Sequence, residues 1–103
     1  MGNRVFDDPE DARAEAERLI DDGRFRLTDH AREDHPELSE SDKIAVVRYG
    51  GHDQPDADRD PDEGVYVCWA KIDGTLCRGV YCVEETGLAP ILVIITAFPE
   101  EPE

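Results

Sequence analysis

A chain of 103 residues with 26 acidic and 11 basic side chains, a net charge of −15 and 39% hydrophobic residues is sized for one small domain, read here over the whole span 1–103. No apolar run approaches the ~20 residues of a membrane span. Met1-Gly2-Asn3-Arg4 leads directly into acidic residues, so no leader is expected, and cytoplasmic location follows as the expectation. Cys68, Cys77 and Cys82 are an odd number of thiols at spacings that match neither a disulfide framework nor a zinc ribbon.

The charge itself needs a cause. Self-repulsion on this scale is costly in dilute buffer, and only Lys43 and Lys71 among the cations are lysines. Molar salt shortens the Debye length to about 3 Å, and the sequence is therefore read as halophilic. The rival is an acidic decoy for a basic partner. Against it, the carboxylates are spread over every segment and not gathered in one block. Acidity does not exclude RNA as a partner in such salt, because counterion release then contributes little either way.

Asp8-Pro9-Glu10-Asp11 predicts a helix start, with Ala12, Ala16, Leu19 and Ile20 as a narrow apolar stripe and Gly23 just past the end, so that the first helix spans Pro9–Asp22. Arg24–Leu27 alternates as a half-buried strand. Thr28 is placed as the N-cap of a second, short helix that runs to about His35 and is halted by Pro36. Ser39 and Asp42 read as a capping box for a third helix that ends at Gly50-Gly51, with Ile44, Val47 and Tyr49 facing inward.

The stretch 51–64 is polar and acidic and reads as a mobile loop. Its Asp56-x-Asp58-x-Asp60 spacing fails as a calcium loop, because Pro61 and Val67 stand where glycine and glutamate are needed. Asp73-Gly74 is a tight-turn pair between two β-rich runs. In that register Ile72 opposes Thr75, Trp69 opposes Arg78 with their side chains stacked, and Cys68 opposes Gly79. Cys68 and Cys77 become diagonal neighbours on one face, too far apart for a bond, and Cys82 lies on the other. Pro90–Phe98 is a continuous apolar strand with Thr96 as its polar residue, and 99–103 is a frayed tail. The fold class is α+β: two to three N-terminal helices on one face of a mostly antiparallel four-stranded sheet.

Chemistry is sparse. His30 stands in the first turn of the second helix, near Arg24, Arg26 and Arg32. RNA cleavage through a 2′-hydroxyl needs an acid/base, for which a histidine serves, and cations to steady the phosphorane, for which Arg24, Arg26, Arg32, Arg48 and Arg78 are the candidates. His30 and His35 are five apart and diverge on a helix, so they share no metal. No nucleotide-binding glycine loop and no nucleophile elbow is present, and no metal or other cofactor is expected.

The segment Phe25-x-Leu-Thr-Asp-His30-Ala-Arg32, the helix at 39–49, the hairpin and the closing Ile94-Ile95-Thr96-Ala97-Phe98 together resemble the domain-of-unknown-function family 4258, which is grouped with the RelE-type toxin fold. The resemblance covers residues 24–98 and implies a RelE-like domain that binds or cleaves RNA, with a protein antitoxin as partner. His30 would be the catalytic histidine, Thr96 a positioning hydroxyl, and Arg32, Arg48 and Arg78 the phosphate clamps. The chain departs from the family at Glu33-Asp34-His35, where many members carry a second arginine, and in the length of the acidic loop. The alternatives are a non-catalytic protein-interaction domain on the same fold and the acidic decoy. A free sheet edge would also admit a homodimer.

Overall fold

The computed structural model describes residues 2–33, 37–51, 64–85 and 89–99. Helix α1 spans Pro9–Asp21, and the Asp8 carboxylate caps it by accepting from the Glu10 N–H at 3.0 Å. Its inward stripe is Ala12, Ala16 and Leu19, all fully buried. The chain turns at Gly23 into strand β1, Phe25–Leu27, and then into helix α2, Asp29–Glu33. Helix α3, Glu40–Tyr49, opens on the expected capping box. The Ser39 hydroxyl accepts from Asp42 N–H, and the Asp42 carboxylate accepts from Ser39 N–H.

Strands β2, Val65–Ile72, and β3, Thr75–Glu84, form the hairpin. Asp73 and Gly74 both take positive φ, as its tight turn requires. The register is the one read from the sequence: Ile72 with Thr75, Trp69 with Arg78, Cys68 with Gly79. Strand β4, Ile91–Pro99, completes a four-stranded sheet in the order β1-β4-β3-β2. The hairpin and β4 are antiparallel, and the short β1 lies parallel to β4, so the sheet is mixed. The fold is α+β, with three helices early in the chain packed on a mostly antiparallel sheet.

The helices bury Ala12, Ala16, Leu19, Ala31, Val46 and Val47 against Tyr66, Cys68, Cys77, Tyr81, Val83, Leu92 and Ile94 from one face of the sheet. Helix α3 lies close to that face because two positions lack a side chain. A Cβ on Gly79 would sit 3.0 Å from Val46 Cγ1 and 3.1 Å from Cys68 Sγ, and one on Gly50, the C-cap of α3, would sit 2.9 Å from Cys68 Cβ.

Several boundaries differ from expectation. Helix α1 ends at Asp21, one residue before the expected end. Tyr49 does not face inward, being 65% exposed. The inward face of α3 is Lys43, Val46, Val47 and Gly50, a spacing of three, four and seven. Lysine at the first of these positions hides the stripe from a reading by polarity. Lys43 is 1% exposed and donates from Nζ to the Ala31 carbonyl at 2.5 Å, which ties α3 to α2. Pro99, assigned to the tail, belongs to β4. The expected end of α2 at His35, the loop with Asp56, Asp58 and Asp60, and the tail beyond Pro99 lie outside the described residues.

Candidate functional site

The strand-to-helix junction that dominates the sequence is built around Thr28. Its hydroxyl accepts from the Ala31 N–H at 3.1 Å, the bond of an N-cap. The same hydroxyl donates to the Ile95 carbonyl at 2.7 Å, and the Thr28 N–H donates to the Ile94 carbonyl at 3.1 Å. Two successive carbonyls of β4 therefore turn toward one residue. That geometry coincides with an irregularity in the sheet: Val80 pairs with Thr96 but Tyr81 pairs with Ile94, which leaves Ile95 as an extra residue in β4.

The extra residue changes which way the rest of β4 points. Leu92 and Ile94 face the helices, and strict alternation would send Thr96 and Phe98 the same way. After the bulge, Ala97 pairs with Gly79 on the helix side, whereas Thr96 pairs with Val80 and Phe98 with Arg78 on the other. The face turned away from the helices thus carries three successive cross-strand rows. The first is Val65, Cys82 and Val93, the second Val67, Val80 and Thr96, and the third Trp69, Arg78 and Phe98. The first two rows are buried except for Val65, and the third is partly exposed along its whole length. In that third row the Arg78 guanidinium stands 5.4 Å from the centre of the Trp69 ring. The Thr96 side chain is 6% exposed, and its hydroxyl has no hydrogen-bond partner among the described residues.

The residues proposed for RNA cleavage are spread over both sides of this sheet. His30 is exposed on α2, in the helix layer, while the Thr96 side chain points to the opposite face. Arg24 donates from Nε to the Pro90 carbonyl at 3.2 Å, and Arg26 pairs with Glu84 at 3.3 Å. Arg48 pairs with Asp21 across α1 and α3 and lies over the Tyr49 ring, while Arg32 is exposed two residues beyond His30 on α2. Arg78 and Thr96 share the helix-free face, with Arg26 at its far end, and Arg48 does not join them.

The three thiols are free and buried. Burial pushes the Cys68 thiol up to about 12 and the Cys82 thiol up to about 11, so neither is a nucleophile at neutral pH. Burial also raises Tyr81. Among the described residues no group of His, Cys, Asp and Glu could hold a metal ion, and no helix is long and apolar enough to cross a membrane.

Phe98 escaped the reading of the sequence because its direction depends on the bulge. The Trp69–Arg78 pair was legible from Asp73-Gly74 alone, but the third member of that row needed the phase of a strand joined to no hairpin. No family model, curated protein or solved structure matches this chain, so its fold and its rows of side chains are what a functional reading must stand on.

Proposed function

We propose that this domain binds RNA, without cleaving it, through the sheet face turned away from its helices. The observation that carries the reading is the row of Trp69, Arg78 and Phe98: two aromatic rings and a guanidinium on adjacent strands, partly open to solvent. Aromatic rings of this kind stack bases, at about 1–3 kcal/mol per base. The likeness of Phe25–Arg32 to the RelE-grouped family supports RNA as the polymer.

The physical argument favours stacking over phosphate clamping. A net charge of −15 repels phosphate in dilute buffer. In the molar salt that the composition suits, charges are screened within about 3 Å, and arginine–phosphate contacts on the surface lose most of their strength. Stacking is not screened, so it is the mode of contact that survives. Arg26 and Arg48 are in any case engaged by Glu84 and Asp21. With His30 and Thr96 directed from different layers, an acid/base and a positioning group do not meet over one phosphate.

Trp69 is the sole tryptophan of the chain and reports on its own face. Titration with a single-stranded RNA of about ten nucleotides in about 2 M KCl should quench its fluorescence to saturation. In Trp69→Ala, affinity measured by polarisation of labelled RNA should fall by about 5- to 100-fold. His30→Ala should bind as the wild type does, with the RNA left intact by both. Absence of quenching, or cleavage that His30→Ala abolishes, overturns the reading.

A further inference from the structure

Trp69 and Phe98 stand in one cross-strand row, on β2 and β4, with Arg78 of β3 between them. Two strand spacings of about 4.8 Å place their backbones about 10 Å apart. The Arg78 guanidinium lies over the Trp69 ring, 5.4 Å from its centre, and takes one of that ring's two faces. Lys71 is exposed in the next row toward the turn. Strands β2, β3 and β4 hold a single carboxylate, Glu84, which sits at the far end of β3 and is paired with Arg26. In molar salt charges are felt over about 3 Å. This local composition, and not the net −15, therefore decides what the face meets, and it suits an anion.

We propose that the two rings seat two bases of one RNA strand at once, with the strand running across β2, β3 and β4 past Arg78, and that the face thereby selects strands that do not stack on themselves, uridine-rich ones first. This rests on the stacking face proposed above and names what that face selects. A base inside a duplex or a stacked strand has both faces covered by neighbours, which follow at about 3.4 Å, and it offers neither to a ring. The end of a duplex offers one face, at one place. Two rings about 10 Å apart need two bases that are already separated. Adenosine runs stack on themselves and must first be opened, whereas uridine runs are open. Every base has a π-face for the rings, so this difference in the free strand sets the preference.

The test compares decauridylate, decaadenylate and a fully paired RNA hairpin in about 2 M KCl. Decauridylate should bind about 5- to 10-fold more tightly than decaadenylate, and the hairpin should bind most weakly. Phe98→Ala and Phe98→Leu should each lower the affinity for decauridylate by about 5- to 100-fold. Quenching of Trp69 by millimolar uridine monophosphate should be unchanged in both, because one base needs one ring. Phe98→Tyr should bind as the wild type does. Equal affinity for the two decamers, a preference for the hairpin, or wild-type binding by Phe98→Leu overturns the inference. Trp69→Ala separates the two levels. If it weakens binding and Phe98→Leu does not, only the second seat has failed. If the wild type binds neither decamer, whether it sediments as a monomer or as a dimer closed over this face, the stacking reading has failed with it.

Discussion

Thr28→Val is the sharpest probe of the junction between β1, α2 and β4. Valine keeps the shape of threonine but can neither accept from Ala31 N–H nor donate to the Ile95 carbonyl, the two bonds of 3.1 and 2.7 Å made by the hydroxyl. Loss of an N-cap costs about 0.5–2 kcal/mol, and loss of one further hydrogen bond costs about 0.5–1.5 kcal/mol. The sum is about 1–3.5 kcal/mol. At about 4–8 °C per kcal/mol for a domain of this size, a central value near 2 kcal/mol lowers the melting temperature by about 8–16 °C. Thr28→Ser keeps both bonds and loses one half-buried methyl, for less than about 0.8 kcal/mol. The assay is thermal unfolding followed by circular dichroism in about 2 M KCl. If Thr28→Val melts with the wild type, or if Thr28→Ser is as damaged as Thr28→Val, the hydroxyl is not what fastens β4 to the head of α2.

Gly79→Ala should destabilise by about 1–3 kcal/mol, because the new methyl would stand 3.0 Å from Val46 Cγ1 and 3.1 Å from Cys68 Sγ. Cys68→Ala in the same chain should recover part of that loss, and additive urea midpoints in the double variant would contradict the shared contact. Cys68 in the folded protein titrates at about 12 against an ordinary 9.0, so its contribution to stability is full below pH 9 and is lost as the pH rises toward 12. Urea midpoints should therefore drop between about pH 8 and about pH 10.5, and drop less in Cys68→Ala; equal slopes would count against burial as the cause. Finally, with the Debye length falling from about 10 Å at 0.1 M to about 3 Å at 1 M, the melting temperature should climb with KCl, and a flat profile between about 0.1 M and about 2 M would remove the halophilic reading.

Much of the architecture was written in short-range chemistry. Asp8, Ser39 with Asp42, and Thr28 cap the helices they were expected to cap. Asp73-Gly74 set the hairpin register residue for residue. Local rules failed where distant parts of the chain decide. Lys43 is polar by type but buried by its place under α2, so of the three residues expected inward on α3 Val47 is in the core and Ile44 packs against it, while Tyr49 was given a core role it does not have. The candidate site was legible only in its parts. His30, Arg48 and Thr96 each stand out as residues, but whether they converge depends on which side of the sheet each element presents. For β4 that is fixed by the bulge, which no spacing in Pro90–Phe98 announces.

The inserted residue in β4 is absorbed by the bulge and not passed on to the strand after it. Removing Ile95 would let Thr96 follow Ile94 directly, restore simple alternation, and leave Thr96 and Phe98 turned away from the helices and Ala97 against Gly79. What it would take away is the carbonyl that accepts from the Thr28 hydroxyl. A deletion of one at this point is therefore a different kind of event from a substitution: it spares both surfaces of the sheet and unfastens β4 from the head of α2.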